Sequence, residues 1–136
     1  MNKRRSFIVG IKSTKLSLKE KSFLKKYKPW GVILFTRNIK NIKQSLNLTN
    51  SIRKIFNDKK YPILIDQEGG RVNRLNNIIS FENLTSEFFG NKYTKNFKEF
   101  KFIYNLFIDK TSFLLKSIGV NINTCLLYTS PSPRDG

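Results

Sequence analysis

Short apolar runs alternate with longer amphipathic stretches along this chain. Ser6-Phe-Ile-Val9, Gly31-Val-Ile-Leu-Phe35 and Ile63-Leu-Ile65 are brief, partly β-branched and bounded by glycine, proline or polar residues. Runs of that length and composition predict strands, and continuous apolar character predicts burial on both faces, as in a parallel sheet. Between them, Ser17-Leu-Lys-Glu20 fits a capping box and starts a helix over Leu18–Tyr27, which Pro29 ends. Asn41, with Gln44 three residues on, starts a second helix, and Ile42, Leu46, Ile52 and Phe56 are expected to share its apolar face. Asn57-Asp58 closes it. Trp30 is expected to pack at the entrance of the second strand.

Beyond residue 74 the pattern loosens. Asn76-Asn77 predicts a turn, and Phe81–Gly90 leaves room for a short helix. The longest helical period follows over Phe97–Ser117. Phe97, Phe100, Tyr104, Phe107 and Ile108 recur at helical spacing and are expected in the core. Gly119 suits a helix C-terminus, and Val120-Asn-Ile-Asn123 begins a fourth strand. The order β-α-β-α-β, then helix and strand, predicts an α/β fold with a parallel sheet and helical crossovers. Residues 125–136 have no period and two prolines in three positions, Pro131 and Pro133. They resemble a translated adaptor, so the expected division is a domain over 1–124 and a non-native tail over 125–136.

Charge changes the picture less than its size suggests. The 136 residues carry 26 Lys+Arg against 9 Asp+Glu, a formal charge of +17. That excess raises a small basic nucleic-acid-binding protein as an alternative. The cations are scattered, however, and no basic run interleaved with aromatics marks a groove for a phosphate backbone. The single Cys125 allows no internal disulfide and fits a reducing compartment, and Lys12 cuts the first apolar run short of a secretory leader. The expected location is cytoplasmic. The chain contains no histidine, which excludes a Ser-His-Asp triad, a Cys-His pair or a His-ligated metal within it.

The chemistry gathers in Tyr61-Pro-Ile-Leu-Ile-Asp-Gln-Glu-Gly-Gly-Arg-Val-Asn-Arg74. An apolar strand gives way to Asp66, Glu68, two glycines, Arg71 and Arg74 at the end where α/β folds bind ligands. Carboxylates accept from sugar hydroxyls, guanidinium groups donate to oxygens, and glycine admits close backbone approach. Such a set suits a polyhydroxylated ligand. Three other uses of it are weighed: a turn with surface charges, a carboxylate pair Asp66 and Glu68 in retaining geometry, and a Mg²⁺ site. A phosphate cradle fits poorly, because the two carboxylates repel an anion and no Gly-Lys-Ser/Thr follows. Glu68 is expected to brace the segment against Arg71.

Two stretches together, Trp30-Gly-Val-Ile-Leu-Phe-Thr-Arg-Asn38 and Ile65-Asp-Gln-Glu-Gly-Gly-Arg-Val-Asn-Arg74, resemble the N-terminal part of family 3 glycoside hydrolases. Among these the chain is most similar to bacterial β-N-acetylhexosaminidases of muropeptide recycling. The likeness covers about residues 6 to 124, with Ile118–Asn123 where that family has its next strand. It implies the first three to four units of a (β/α)8 TIM barrel and retaining hydrolysis of terminal β-N-acetylglucosamine. An Asp nucleophile and a His acid/base are implied beyond residue 124, leaving no catalytic residue in this chain. Asp66 would hold the sugar hydroxyls and Arg74 would be a second substrate contact. Arg37, Asn38, Glu68, Gly69, Gly70 and Arg71 would shape the site. No metal or organic cofactor is implied. The implied partner is an N-acetylglucosamine-containing muropeptide, with no nucleic acid or membrane, acted on by a monomer. The 136 residues alone are expected to be inactive and unstable, since part of a barrel leaves a strand edge unpaired.

Overall fold

The computed structural model describes residues 3–68, 73–80 and 86–124. Its elements run β1 (Arg5–Gly10), α1 (Leu18–Tyr27), β2 (Pro29–Leu34), a 3-10 turn (Thr36–Asn38), α2 (Ile42–Phe56), β3 (Ile63–Ile65), α3 (Ser86–Lys95), α4 (Phe97–Ser117) and β4 (Ile122–Asn123). The tail over 125–136 lies outside the described residues.

Local chemistry sets the helix ends. Ser17 Oγ accepts from Glu20 N at 3.1 Å while Glu20 Oε1 accepts from Ser17 N at 3.0 Å, which closes the expected capping box. Asn41 Oδ1 caps α2 by accepting from Gln44 N at 2.8 Å. Lys28 and Asn57 end α1 and α2 in the left-handed conformation, at φ 48° and 47°.

The four strands among the described residues are all parallel, in the order β1-β2-β3-β4. Each strand pairs with its neighbour in sequence, and the order never reverses. A doubly wound sheet reverses at a switch point, whereas a (β/α)8 barrel lays its strands down in sequence. The helices agree with the barrel wall. Val32, Leu34, Ile63 and Ile65 share one core with Leu24 of α1, Leu48, Ile52 and Phe56 of α2, and Phe107, Leu114 and Leu115 of α4. Period two puts Ile33 and Leu64 on the opposite face, outside that cluster. The described helices therefore cover a single face of the sheet.

Three packing expectations need correction. Trp30 lies within β2 and is 41% exposed, on the pleat face of Val32 and Leu34 but at the open N-terminal end of the strand. Ile42 and Leu46 of α2 are exposed, because the buried face runs through Ser45, Leu48, Thr49, Ile52 and Phe56. The polar members fit there by bonding backbone: Ser45 Oγ donates to Asn41 O at 2.7 Å, and Thr49 Oγ1 to Ile118 O at 2.9 Å. On α4 the aromatic stripe divides. Phe107 is buried, Phe100, Tyr104 and Ile108 are half-buried, and Phe97 is 56% exposed. Phe97 packs edge-on against Tyr93 of α3, with ring centroids 5.4 Å apart, instead of reaching the sheet. Among the described residues no helix is long and apolar enough to cross a membrane.

Tyr61 ties the strand entrances together. Its hydroxyl donates to Pro29 O at 2.6 Å, and its ring stacks on Phe56 with centroids 3.9 Å apart. Burial pushes the phenol well above its ordinary value of 10.0, against a smaller opposing pull from Arg4. A raised phenol pKa favours the neutral folded form. Its contribution is therefore complete below pH 10 and declines as pH climbs toward the folded pKa. Above pH 10 the expected loss of unfolding free energy is about 1.4 kcal/mol per pH unit. Tyr61→Phe removes that slope and costs about 1 kcal/mol at neutral pH through the lost hydrogen bond. Urea titrations of both proteins between pH 8 and 11 check this; parallel pH profiles would show that Tyr61 does not control alkaline stability.

Candidate functional site at the carboxyl ends of the strands

Because the sheet is parallel, every strand delivers its carboxyl end to one rim. Four connections meet there. After β1 come Ile11 and Ser13, after β2 the turn Thr36–Asn38, after β3 Asp66 to Glu68, and at the end of β4 Asn123.

Asn38 organises the first two. It is fully buried, with Nδ2 donating to Ile11 O at 3.0 Å and Ser13 O at 2.8 Å, while Oδ1 accepts from Phe35 N at 2.8 Å. Only a primary amide can donate twice and accept once in that fork. Arg37 is exposed, and its Nε donates to Ile11 O at 3.0 Å. Its guanidinium lies over the Phe35 ring, 4.8 Å from the centroid. The Arg74 guanidinium lies over the same ring at 5.3 Å. Phe35 therefore links two cations brought from different connections.

Asp66 stands half-buried directly after β3, between two anchored neighbours. Ile65 O accepts from Thr124 N at 2.8 Å. Gln67 N donates to Asn123 Oδ1 at 3.1 Å, and Asn123 Nδ2 donates back to Gln67 O at 3.2 Å. Arg74 is half-buried, and its backbone N donates to Gln67 Oε1 at 2.8 Å. Its Nε is buried without a hydrogen-bond partner among the described residues. Glu68 is half-buried beside Gln67. Gly69, Gly70 and Arg71 lie outside the described residues, as does the expected Glu68–Arg71 brace.

The sequence-predicted set thus divides into Asp66, Glu68 and Arg74 around the β3 exit, and Arg37 with Asn38 around the β2 exit, joined through Phe35. Sequence reasoning passed over Phe35, Gln67, Asn73 and Asn123. A faint signal existed for the last: Asn121 and Asn123 alternate just before and at the end of β4, and each offers an amide to backbone in or just after β3, Asn121 Oδ1 accepting from Ile63 N at 2.9 Å and Asn123 Oδ1 from Gln67 N. Among the described residues no three His, Cys, Asp or Glu side chains gather as metal ligands. A separate hollow of about 280 Å³ lies between the β1–α1 connection and α2, lined by Thr14, Lys15, Leu16, Lys21, Gln44 and Ser51 among others. It shares no lining residue with the rim.

No family model matches the chain. A curated β-hexosaminidase from Alkalilimnicola ehrlichii is 41% identical over 69 residues, which is 49% of this chain and 19% of that protein. Among solved structures, NagZ from Neisseria gonorrhoeae in complex with N-trifluoroacetyl-D-glucosamine is 35% identical, over 56% of this chain and 22% of that one, with a TM-score of 0.49. A glycoside hydrolase family 3 β-N-acetylglucosaminidase from Paenibacillus sp. is 27% identical, over 55% and 15%, also with a TM-score of 0.49. The chain spans about a fifth of the curated relatives it matches. Those relatives bear out the glycosidase resemblance and lend nothing to the nucleic-acid alternative.

Proposed function

We propose that this chain, which is part of a family 3 glycoside hydrolase, supplies sugar contacts to a retaining β-N-acetylhexosaminidase. The complete protein removes terminal β-N-acetylglucosamine from muropeptides or related glycans. Asp66 accepts from the sugar hydroxyls, and Arg74 donates to a ring substituent. Arg37, Asn38 and Glu68, with Gly69, Gly70 and Arg71, shape the space around them. The nucleophilic Asp and the acid/base His come from chain beyond residue 124, and the reaction needs no metal or organic cofactor. The protein acts as a cytoplasmic monomer. Residues 1–124 form the first part of its barrel domain, and residues 125–136 are foreign to it.

One observation carries the proposal: Asp66 is half-buried at the carboxyl end of β3, with Arg74 bonded through its backbone to the very next residue. Half-burial suits a carboxylate that accepts hydrogen bonds from a ligand, because partial desolvation strengthens them without stranding the charge. The test is turnover of p-nitrophenyl β-N-acetylglucosaminide by the complete gene product, with the anomer of the first-formed sugar read by NMR. Release of the β-anomer is expected. A folded protein that leaves this substrate intact would overturn the proposal.

A further inference from the structure

The side chain between the two proposed sugar contacts is more tightly held than either. Gln67 is fully buried, and both ends of its amide are used. Nε2 donates to Asn73 Oδ1 at 2.9 Å, and Oε1 accepts from Arg74 N at 2.8 Å. Asn73 is buried too and extends the chain of bonds. Its Oδ1 also accepts from Leu75 N at 3.0 Å, and its Nδ2 donates to Ile79 O at 2.8 Å and Asn76 Oδ1 at 3.2 Å. The Gln67 backbone is fixed separately by Asn123, on the neighbouring strand.

We infer that Gln67 is a positioning residue that sets Asp66 and Arg74 in register for a single sugar ring, through Asn73 and the Arg74 amide, without touching the sugar. This inference rests on the sugar-site proposal above. Asp66 precedes Gln67 directly, and Arg74 follows Asn73 directly, so the Gln67–Asn73 clasp closes the chain just inside both contacts. Two groups can bond one rigid ring together only if their spacing is set before binding; otherwise ordering them costs affinity. Phe35 completes the arrangement by seating the Arg74 guanidinium. A donor and an acceptor are both needed at position 67, and a primary amide supplies them.

The test uses the complete protein and N-acetylglucosamine itself, with affinity read by calorimetry and KM and kcat read with the aryl glycoside. Gln67→Ala and Asn73→Ala are each expected to weaken sugar affinity about tenfold with kcat within about twofold, and the double variant no further, since both cut one linkage. Gln67→Glu keeps the volume and the Arg74 acceptor but loses the donor to Asn73. It is expected to weaken affinity severalfold, and it gives a readout should Gln67→Ala not fold. A purely structural clasp would lower the melting temperature and leave affinity alone. Wild-type affinity in any folded variant would therefore overturn the inference while leaving the sugar site standing. No binding by the wild-type protein would overturn both.

Discussion

Asp66→Ala is expected to lower kcat/KM of the complete enzyme for an aryl N-acetylglucosaminide about a thousandfold. The carboxylate sits half-buried at the end of β3 and can take two hydroxyl hydrogen bonds at once. Each hydrogen bond to a charged group contributes about 1.5–3 kcal/mol, and 1.36 kcal/mol is tenfold in rate. Two such bonds therefore correspond to roughly two to four powers of ten. Asp66→Asn keeps the shape and one good acceptor, so its loss is expected to be smaller, about ten- to fiftyfold. Lys43→Ala on the exposed face of α2 serves as the control and should change kcat/KM less than twofold. A loss at Lys43 comparable to that at Asp66 would mean that net charge, and not the β3 carboxylate, governs substrate capture. The unfolding midpoint of Asp66→Ala should stay close to wild type, because among the described residues no hydrogen bond or ion pair depends on that side chain.

The second large effect concerns stability. Gly119→Ala is expected to cost about 3–5 kcal/mol, a large fraction of the total stability of an ordinary domain. Gly119 has φ +85°, a conformation that L side chains rarely adopt. Space is also lacking: a Cβ there would collide with Thr49 Oγ1 and come within 2.9 Å of Thr49 Cβ and 3.1 Å of Arg53 Nη1. Thr49 cannot step aside cheaply, because its hydroxyl holds Ile118 O across 69 residues of sequence. Two terms therefore add, backbone strain and overpacking. Urea unfolding of Gly119→Ala alone and in a Thr49→Ala background separates them. The Thr49→Ala background should recover the share of the overpacking that comes from Oγ1, leaving the Cβ contact and the strain, and a single-variant cost below about 1 kcal/mol would refute the close approach.

The order of elements was legible because their signals are local. Ser17 with Glu20, Asn41 with Gln44 and Gly119 each act within a turn of their own position, and the three short apolar runs became β1, β2 and β3. Facing was harder to read. On α2 the hydrophobic positions Ile42 and Leu46 point outward because Ser45 and Thr49 satisfy their hydroxyls on backbone and occupy the interior. A polar residue that brings its own partner is invisible to a hydrophobicity pattern. Phe97 was misplaced for a different reason: helical spacing identifies a stripe but not how far the sheet extends beneath it. The site showed the same division. Asp66 and Arg74 stood out by residue type, whereas Gln67, Asn73 and Asn123 matter through partners 6 and 56 residues away.

The unbroken order of the sheet has a bearing on synthesis. Every strand pairs with the strand made just before it, so the sheet grows at one edge as the chain leaves the ribosome. Among the described strands, β2, β3 and β4 each find a partner already made. Each new strand is delivered by the helices just made, which keeps the search for it short. A nascent chain built this way adds each strand at the same growing edge, where the next strand to emerge covers it, while the outer edge of β1 stays open.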